Sequence, residues 1–377
     1  MEYRKLGQTD LKVSAISLGT EHLWCKKLDL MNSVISHSID NGINYFDVVF
    51  SFPEYLRNLG TCFKGKRDKV YLTGHLRSGT HGEREHKYRL TTNVKESEKY
   101  FNRVLKELQT DYVDVAFIQM VNALDDYHKV IEPGGVLDLA LQLKKEGKLR
   151  YIGMSMHKPA AALEAVMSGK IDVLMYPINI AWDLQPGRKE VCSACFKEKE
   201  GLVAMKGFAG GRLFLKQAVV RFTPTQCLSY ILSQKGVTNV VIGPSDVEQL
   251  KESLHYNEAS KKEKEYKYLI SKLNEEYSGI CIYCSHCQPC PANIDIASVF
   301  RNYDLKMMKK SPEYKKALKK TDEKVRFIKP AWIREKPAAV KKMKGKPQEC
   351  LECGVCMERC PFDVDIISKM KQVAKSK

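Results

Sequence analysis

The sequence predicts an α/β chain: a (β/α)8 TIM barrel over residues 1–258, followed by a small α-helical, cysteine-rich domain. Two observations carry the barrel. Short apolar runs alternate with longer amphipathic stretches from Ala15 to about Leu254. Eight such units in about 240 residues favour a closed sheet over an open one. A third observation carries the second domain, because eight of the 13 cysteines fall in two clusters near the C-terminus. At 377 residues the chain exceeds what one small core holds.

Taken in order, residues 2–13 read as a short hairpin covering one end of the barrel. The strand candidates follow: AISLG (15–19), INYFDVV (43–49), KVYLTG (69–74), VDVAFIQ (113–119), LRYIGMS (149–155), VLMYPIN (173–179), LVAMKGF (202–208) and TNVVIGP (238–244). Helix-like segments such as VKESEKYFNRVLKELQ and VLDLALQLKKEGK separate them. A doubly wound sheet would also alternate, but no GxGxxG follows the first strand. Residues 259–277 read as a charged linking helix. The cysteine domain covers 278–377, with a basic helical insert at 301–346 and a frayed basic tail.

The N-terminal stretch MEYRKLGQTD is polar and lacks the apolar h-region of a secretory signal. No run approaches the roughly 18–20 apolar residues of a membrane span. The expected location is the cytoplasm, where thiols stay reduced and dense cysteine clusters point to metal rather than disulfides. The net charge is +17, and residues 301–346 hold 17 Lys or Arg against five Asp or Glu. One reading of that excess is a solvated helical connector. The other is a docking surface for a redox partner protein that is acidic at its docking face. Nucleic acid is not the expected partner.

Cys281, Cys284, Cys287 and Cys290 precede Pro291, and Cys350, Cys353, Cys356 and Cys360 precede Pro361. A CxxCxxCxxxCP run is the ligand pattern of bacterial ferredoxins. Three closely spaced thiolates grip one cubane, the fourth points toward the neighbouring cluster, and the proline ends the wrap. This logic assigns Cys281, Cys284, Cys287 and Cys360 to one [4Fe–4S] cluster. It assigns Cys350, Cys353, Cys356 and Cys290 to a second. The first run has two residues rather than three before its last cysteine, which puts the role of Cys290 in question. Zinc is the alternative, since CxxC pairs also build zinc ribbons, though zinc favours well-separated pairs. Two clusters make an electron relay; a purely structural role is the other reading.

With the strands placed, EYRKLGQTDLKVSAISLGT, INYFDVV, DYVDVAFIQ, LRYIGMS and VVIGPSDVEQLKESL follow the order and spacing of the aldo-keto reductase family. The sequence resembles that family over roughly residues 2–255. With the cysteine module included, the whole chain resembles its ferredoxin-fused members, found mainly in anaerobic bacteria and archaea. The resemblance implies a barrel of aldo-keto reductase type, and carbonyl reduction by NADPH through Asp, Tyr, Lys and His at the strand tops. Only the aspartate matches, as Asp47. The tyrosine position is Phe52, which has no proton to give; Tyr55 is the phenol three residues on. The lysine position is His75 and the histidine position is Gln119. The nicotinamide-amide contacts fall on Ser155, Met156 and Met175, and the stacking aromatic on Met205. The basic residue for the 2′-phosphate falls on Gln249, next to Asp246. What remains for a nucleotide is Gly19, Thr20, Ser155, Asn179, Lys206, Gly210, Gly211, Gly243 and Ser245.

The catalytic candidates are therefore Asp47, His75 and Gln119, because strand C-termini converge at the barrel mouth. His75 beside Asp47 reads as a proton carrier, or as a filler of the vacated lysine space. A metal site from His22, Cys25 and His75 is a further alternative. Cys192 and Cys195 form a CxxC in mid-helix and read as packed thiols, while Cys62 and Cys227 read as core thiols. Three functions follow. The first is an iron–sulfur oxidoreductase exchanging electrons with a small molecule in the mouth. The second is a non-catalytic barrel serving as scaffold or electron-transfer subunit of a larger redox complex. The third is an NAD(P)H-dependent reductase, for which the departures at the mouth leave NAD(P)H doubtful.

Overall fold

The computed structural model describes residues 1–24, 26–81, 87–180, 183, 187–214, 222–270, 281, 283, 287–310, 345–360 and 364–376. The chain divides into two compact units, residues 1–207 with 224–266 and residues 208–223 with 267–377.

The first unit opens with the expected hairpin, β1 (Tyr3–Lys5) antiparallel to β2 (Lys12–Ser14). Its Leu6, Leu11 and Val13 are fully buried and join Tyr45, Val115, Phe117, Val173 and Val203 in one apolar cluster. The hairpin therefore stops one end of the barrel with side chains. The barrel strands are β3 (Ile16–Gly19), β4 (Tyr45–Asp47) and β5 (Tyr71–Leu76). After a small antiparallel pair, β6 (Ser78–His81) and β7 (Lys87–Leu90), come β8 (Val113–Ile118) and β9 (Leu149–Ser155). The last three are β10 (Val173–Pro177), β11 (Gly201–Met205) and β12 (Val237–Ile242). Apart from β6 and β7, the strands after the hairpin pair in parallel and close as β3-β4-β5-β8-β9-β10-β11-β12. All eight apolar runs of the sequence are barrel strands.

Local chemistry sets the helices that return the chain between strands. The helix Val94–Leu108 starts where the Asn93 side chain accepts the Glu96 amide at 2.9 Å, and ends at Gln109 in the left-handed region (φ 56°). Its Ser97, Phe101, Val104, Leu105 and Leu108 are buried, a stripe at helical spacing that faces the sheet. Inside the barrel, Phe117 occupies space that a side chain on β9 would need. A Cβ at Gly153 would lie 2.5 Å from the Phe117 ring, so only glycine fits there. The Phe117 ring in turn supports His75, their centroids 5.5 Å apart.

The linking helix expected over 259–277 is broken in its described part. It consists of Lys261–Lys264 and Lys267–Ile270, and residues 271–280 lie outside the described residues. A capping box at Ser260 and Glu263 starts the first piece. It stops because Glu265 turns extended, its carbonyl accepting from the Gln226 side chain at 2.9 Å, and Tyr266 packs edge-on against Tyr230.

In the second unit, helix Ile296–Lys310 and helix Ile366–Lys375 follow sequences that repeat: CPANIDIAS from Cys290 and CPFDVDIIS from Cys360. The repeat is structural as well. Asp295 accepts the Ser298 amide at 3.1 Å and Asp365 accepts the Ser368 amide at 3.0 Å, the same N-terminal cap twice. Ile294, Ile296, Val364 and Ile366 are all buried. Asp304 joins the two halves, accepting from the Tyr283 hydroxyl at 2.6 Å and from Lys369 at 2.9 Å. Of the basic insert, residues 311–344 lie outside the described residues. No helix among the described residues is long and apolar enough to cross a membrane.

Candidate functional site

The barrel mouth is organised around Asp47, the last residue of β4, which pairs with Gly19 on β3. Its Oδ1 accepts two hydrogen bonds, from Thr73 Oγ1 at 2.6 Å and from His75 Nε2 at 2.9 Å. Thr73 and His75 share a face of β5, as residues two apart must. An ionised carboxylate only accepts, so Asp47 keeps a proton on Nε2 and leaves Nδ1 as the ring atom that can gain or lose one. His75 Nδ1 and Gln119 Oε1 are both buried without a hydrogen-bond partner among the described residues. The structure thus brings Asp47 and His75 together and sets Gln119 at the end of β8, its amide donating to Leu76 O at 3.3 Å. Thr73 is a partner that sequence reading missed, although its position two residues before His75 pointed to it.

Aromatic rings from the segments after β3 and β4 pack on one another. Phe52 stacks on Trp24 at 4.7 Å between centroids, with Phe50 5.3 Å from Trp24. Tyr55 does not turn toward His75. Its hydroxyl is hydrogen-bonded to Thr20 Oγ1, and Thr20 also donates to the Asp47 backbone carbonyl at 2.7 Å. Burial, reinforced by the charge of Asp47, raises the Tyr55 phenol far above its ordinary value.

A second chain of polar groups crosses the mouth. Asn122 Oδ1 accepts from both the backbone amide (2.9 Å) and Nδ1 (3.0 Å) of His157, leaving Nε2 to accept from Lys206 Nζ at 2.9 Å. Asn179 donates to the Lys206 carbonyl at 3.3 Å. The sequence flagged Asn179 and Lys206 but neither His157 nor Asn122; the position of His157 two residues beyond Ser155, just past a strand end, was the available signal.

Of the three residues of the metal alternative at the mouth, two are described. Cys25 lies outside the described residues, His22 Nδ1 bonds the Gly243 carbonyl and His75 bonds Asp47. Burial lowers the His22 pKa, consistent with a neutral ring that donates to that carbonyl. Cys192 and Cys195 sit within helix Arg188–Glu198 and are buried, as are Cys62 and Cys227. Burial pushes the Cys192 thiol up to about 12, so this pair reads as packed thiols.

Four cysteines of the second unit come together. Cys290, Cys350, Cys353 and Cys356 line one shallow, open pocket, walled by Ile294 and Ile366. The short spacing before Cys290 does not keep it from this group. Its amide is held by Gln288 Oε1 at 2.8 Å, and Arg359 reaches across to the Pro289 carbonyl at 2.8 Å. The Cys356 thiol is raised by burial and by its neighbours Cys350, Cys290 and Cys353. Of the other four cysteines of this unit, Cys287 and Cys360 are buried, Cys281 Sγ accepts the Tyr283 amide at 3.4 Å, and Cys284 lies outside the described residues. Both loops use the same backbone device: Tyr283 (φ 60°) and Glu352 (φ 51°), each just before the second cysteine of its run, are left-handed. No three His, Cys, Asp or Glu among the described residues converge tightly enough to hold a single metal ion.

A sequence model of the aldo/keto reductase family matches residues 15–219, more than half of the chain. The chain belongs to the aldo/keto reductase family. It is 25% identical to the uncharacterized oxidoreductase YqkF of Bacillus subtilis, over 76% of this chain and 99% of that one. It is 24% identical to the L-glyceraldehyde 3-phosphate reductase of Escherichia coli and 26% identical to the L-galactose dehydrogenase of Arabidopsis thaliana, each over 67% of this chain and 87% of the relative. Among solved structures, an aldo-keto reductase of Bacillus halodurans in its holo form superposes with a TM-score of 0.60 at 20% identity, covering 72% of this chain and 96% of that one.

Family members pair this barrel with a nicotinamide cofactor, so the fit of the mouth to one can be tested residue by residue. Ser155 Oγ accepts the Met120 amide at 2.9 Å, and buried Met156 and Met175 flank the position where amide side chains would clamp the nicotinamide. Gly243 is covered by His22, whose Nδ1 would lie 2.8 Å from a Cβ there. At the start of helix Val247–Leu254, Asp246 caps the Gln249 amide at 2.9 Å. The Gln249 side chain donates to Ser245 Oγ (2.7 Å) and Asp246 Oδ2 (2.9 Å). A carboxylate thus occupies the helix N-terminus where a phosphate would be attracted. Gly210 and Gly211 take positive φ (65° and 82°) in the turn Ala209–Phe214, which groups with the second unit. These residues do not fit a 2′-phosphate, and they offer no amide clamp.

Proposed function

We propose that this aldo/keto reductase family member is an iron–sulfur oxidoreductase. Cys281, Cys284, Cys287 and Cys360 hold one [4Fe–4S] cluster; Cys350, Cys353, Cys356 and Cys290 hold the other. A small-molecule substrate reacts at the barrel mouth. The observation that carries this reading is the gathering of Cys290 with Cys350, Cys353 and Cys356 around one cavity. A single zinc ion needs its sulfurs about 2.3 Å from one point. A cubane needs them spread around a larger body, and four cysteines spread along the lining of one pocket suit the second requirement. The clusters supply one-electron transfer. The chain's own residues supply the proton: Asp47 fixes the proton on His75 Nε2, and Nδ1 exchanges one with the substrate.

Two tests separate this from its rivals. Substituting Cys290→Ala should lower the iron bound by about four per chain, one cubane's worth; a zinc ribbon would instead lose a single ion. Substrate-dependent reoxidation of the reduced clusters should disappear in His75→Phe. If a partner protein still reoxidises them at the wild-type rate and no small molecule does, the barrel is a scaffold within a larger redox complex.

The second reading is an NAD(P)H-dependent reductase, favoured by the names of the relatives. It requires a proton donor that Phe52 cannot be, and a 2′-phosphate partner where Asp246 and Gln249 stand. Tight binding of NADPH, seen as a shift of its fluorescence, would establish it.

A further inference from the structure

The two cysteine runs reach their last thiol by different routes. In the second run Met357, Glu358 and Arg359 separate Cys356 from Cys360, and the backbone supplies the turn. The Cys360 amide donates to the Met357 carbonyl at 3.0 Å. In the first run only Gln288 and Pro289 separate Cys287 from Cys290. The Cys290 amide donates to a side chain instead, Gln288 Oε1, at 2.8 Å. The other end of that carboxamide, Nε2, donates to the Ile294 carbonyl at 2.7 Å. One orientation of the amide satisfies both partners, because Cys290 offers a donor and Ile294 an acceptor.

The turn that Gln288 spans is fastened to the segments flanking the other three cysteines of the pocket. The Asn293 amide donates to the Cys290 carbonyl at 2.9 Å, and the Asn293 carbonyl accepts the Gly345 amide at 3.1 Å. Ile294 is fully buried and forms a parallel bridge with Gly345. A Cβ at Gly345 would lie 2.3 Å from the Ala292 carbonyl oxygen, so only glycine permits this approach. On the other side of the turn, Arg359 donates to the Pro289 carbonyl at 2.8 Å. Held in this way, Cys290 lines the same pocket as Cys350, Cys353 and Cys356.

We infer that Gln288 is a positioning residue. Its carboxamide replaces the backbone carbonyl that the shortened run lacks, and so sets the Cys290 thiolate as the fourth ligand of the second cluster. This rests on reading the cysteines as cluster ligands. Without the carboxamide the Cys290 amide loses its partner, and the turn relaxes to pair it elsewhere. The thiolate moves with the turn.

The test follows iron release from the anaerobic holoprotein to a ferrous chelator. Wild-type protein should hold about eight irons per chain. In Gln288→Met, close in size but without the polar ends, about four of them should fail to load or leave about tenfold faster, while the other four leave at the wild-type rate. General loosening of the fold would instead speed all of the release. Gln288→Glu keeps an oxygen for the Cys290 amide and should release iron at a rate closer to wild type than Gln288→Met does. Gln348→Met removes a glutamine bond elsewhere in the same unit, to the Ala374 carbonyl at 3.1 Å, and should change nothing. Gln288→Leu is read in place of Gln288→Met if the latter binds no iron at all. Wild-type release from Gln288→Met, equal acceleration of all the iron, or no recovery in Gln288→Glu would overturn the role of Gln288 alone. A wild-type protein without iron would overturn the cluster reading and this one with it.

Discussion

Glu200 sits buried at the turn into β11, where burial and the charge of Asp172 push its carboxyl up to about 8. The unfolded chain ionises the same group near its ordinary value of 4.5. Between those values the folded state binds the extra proton, so stability falls as pH rises through the window. Glu200→Gln should flatten that loss, and thermal melts of the two proteins at pH 5 and pH 8 measure it. Burial also governs the thiols. Cys62 is raised to about 11 and Cys192 to about 12, so both should resist alkylation by iodoacetamide at pH 7.5 until the protein is unfolded, as mass spectrometry would record. At the mouth, Phe52→Tyr should not produce NADPH-dependent carbonyl reduction, because His75 and Gln119 still stand at the lysine and histidine positions. Consumption of NADPH with an aldehyde substrate is the readout.

Single side chains hold whole elements in place. Gly153→Ala would push a methyl into the Phe117 ring and into the Val173 carbonyl, costing about 1–3 kcal/mol by overpacking and visible as a lower Tm. Elements with strong local signals were legible in the sequence: eight apolar runs became eight strands, and the segment VKESEKYFNRVLKELQ became the helix Val94–Leu108. The pair β6–β7 was not legible, since SGTH has no apolar residue and the alternation of KYRL spans only four residues. The linking helix failed for another reason. Its local propensity is helical throughout, but packing of Tyr266 on Tyr230 and the Gln226 bond to Glu265 override it.

Across the molecule, what could be read depended on how far apart the partners lie in sequence. That Cys290 shares a pocket with the distant Cys350, Cys353 and Cys356 was legible, because the ferredoxin spacing sends the last cysteine of one run toward the other. The mouth was legible only as residues at strand ends. The positions of Thr73 and His157 near strand ends hinted at them, but their partners, and Asn122, emerge only from hydrogen bonds between strands and loops, and the packing of Trp24 on Phe52 likewise needs the folded barrel. The central claim concerns the cysteines, and it is tested most directly by counting iron and acid-labile sulfide in protein purified without oxygen. The account predicts about eight irons and eight sulfides per chain, two cubanes' worth. Zinc without sulfide, or a metal-free protein that turns over NADPH, would contradict it.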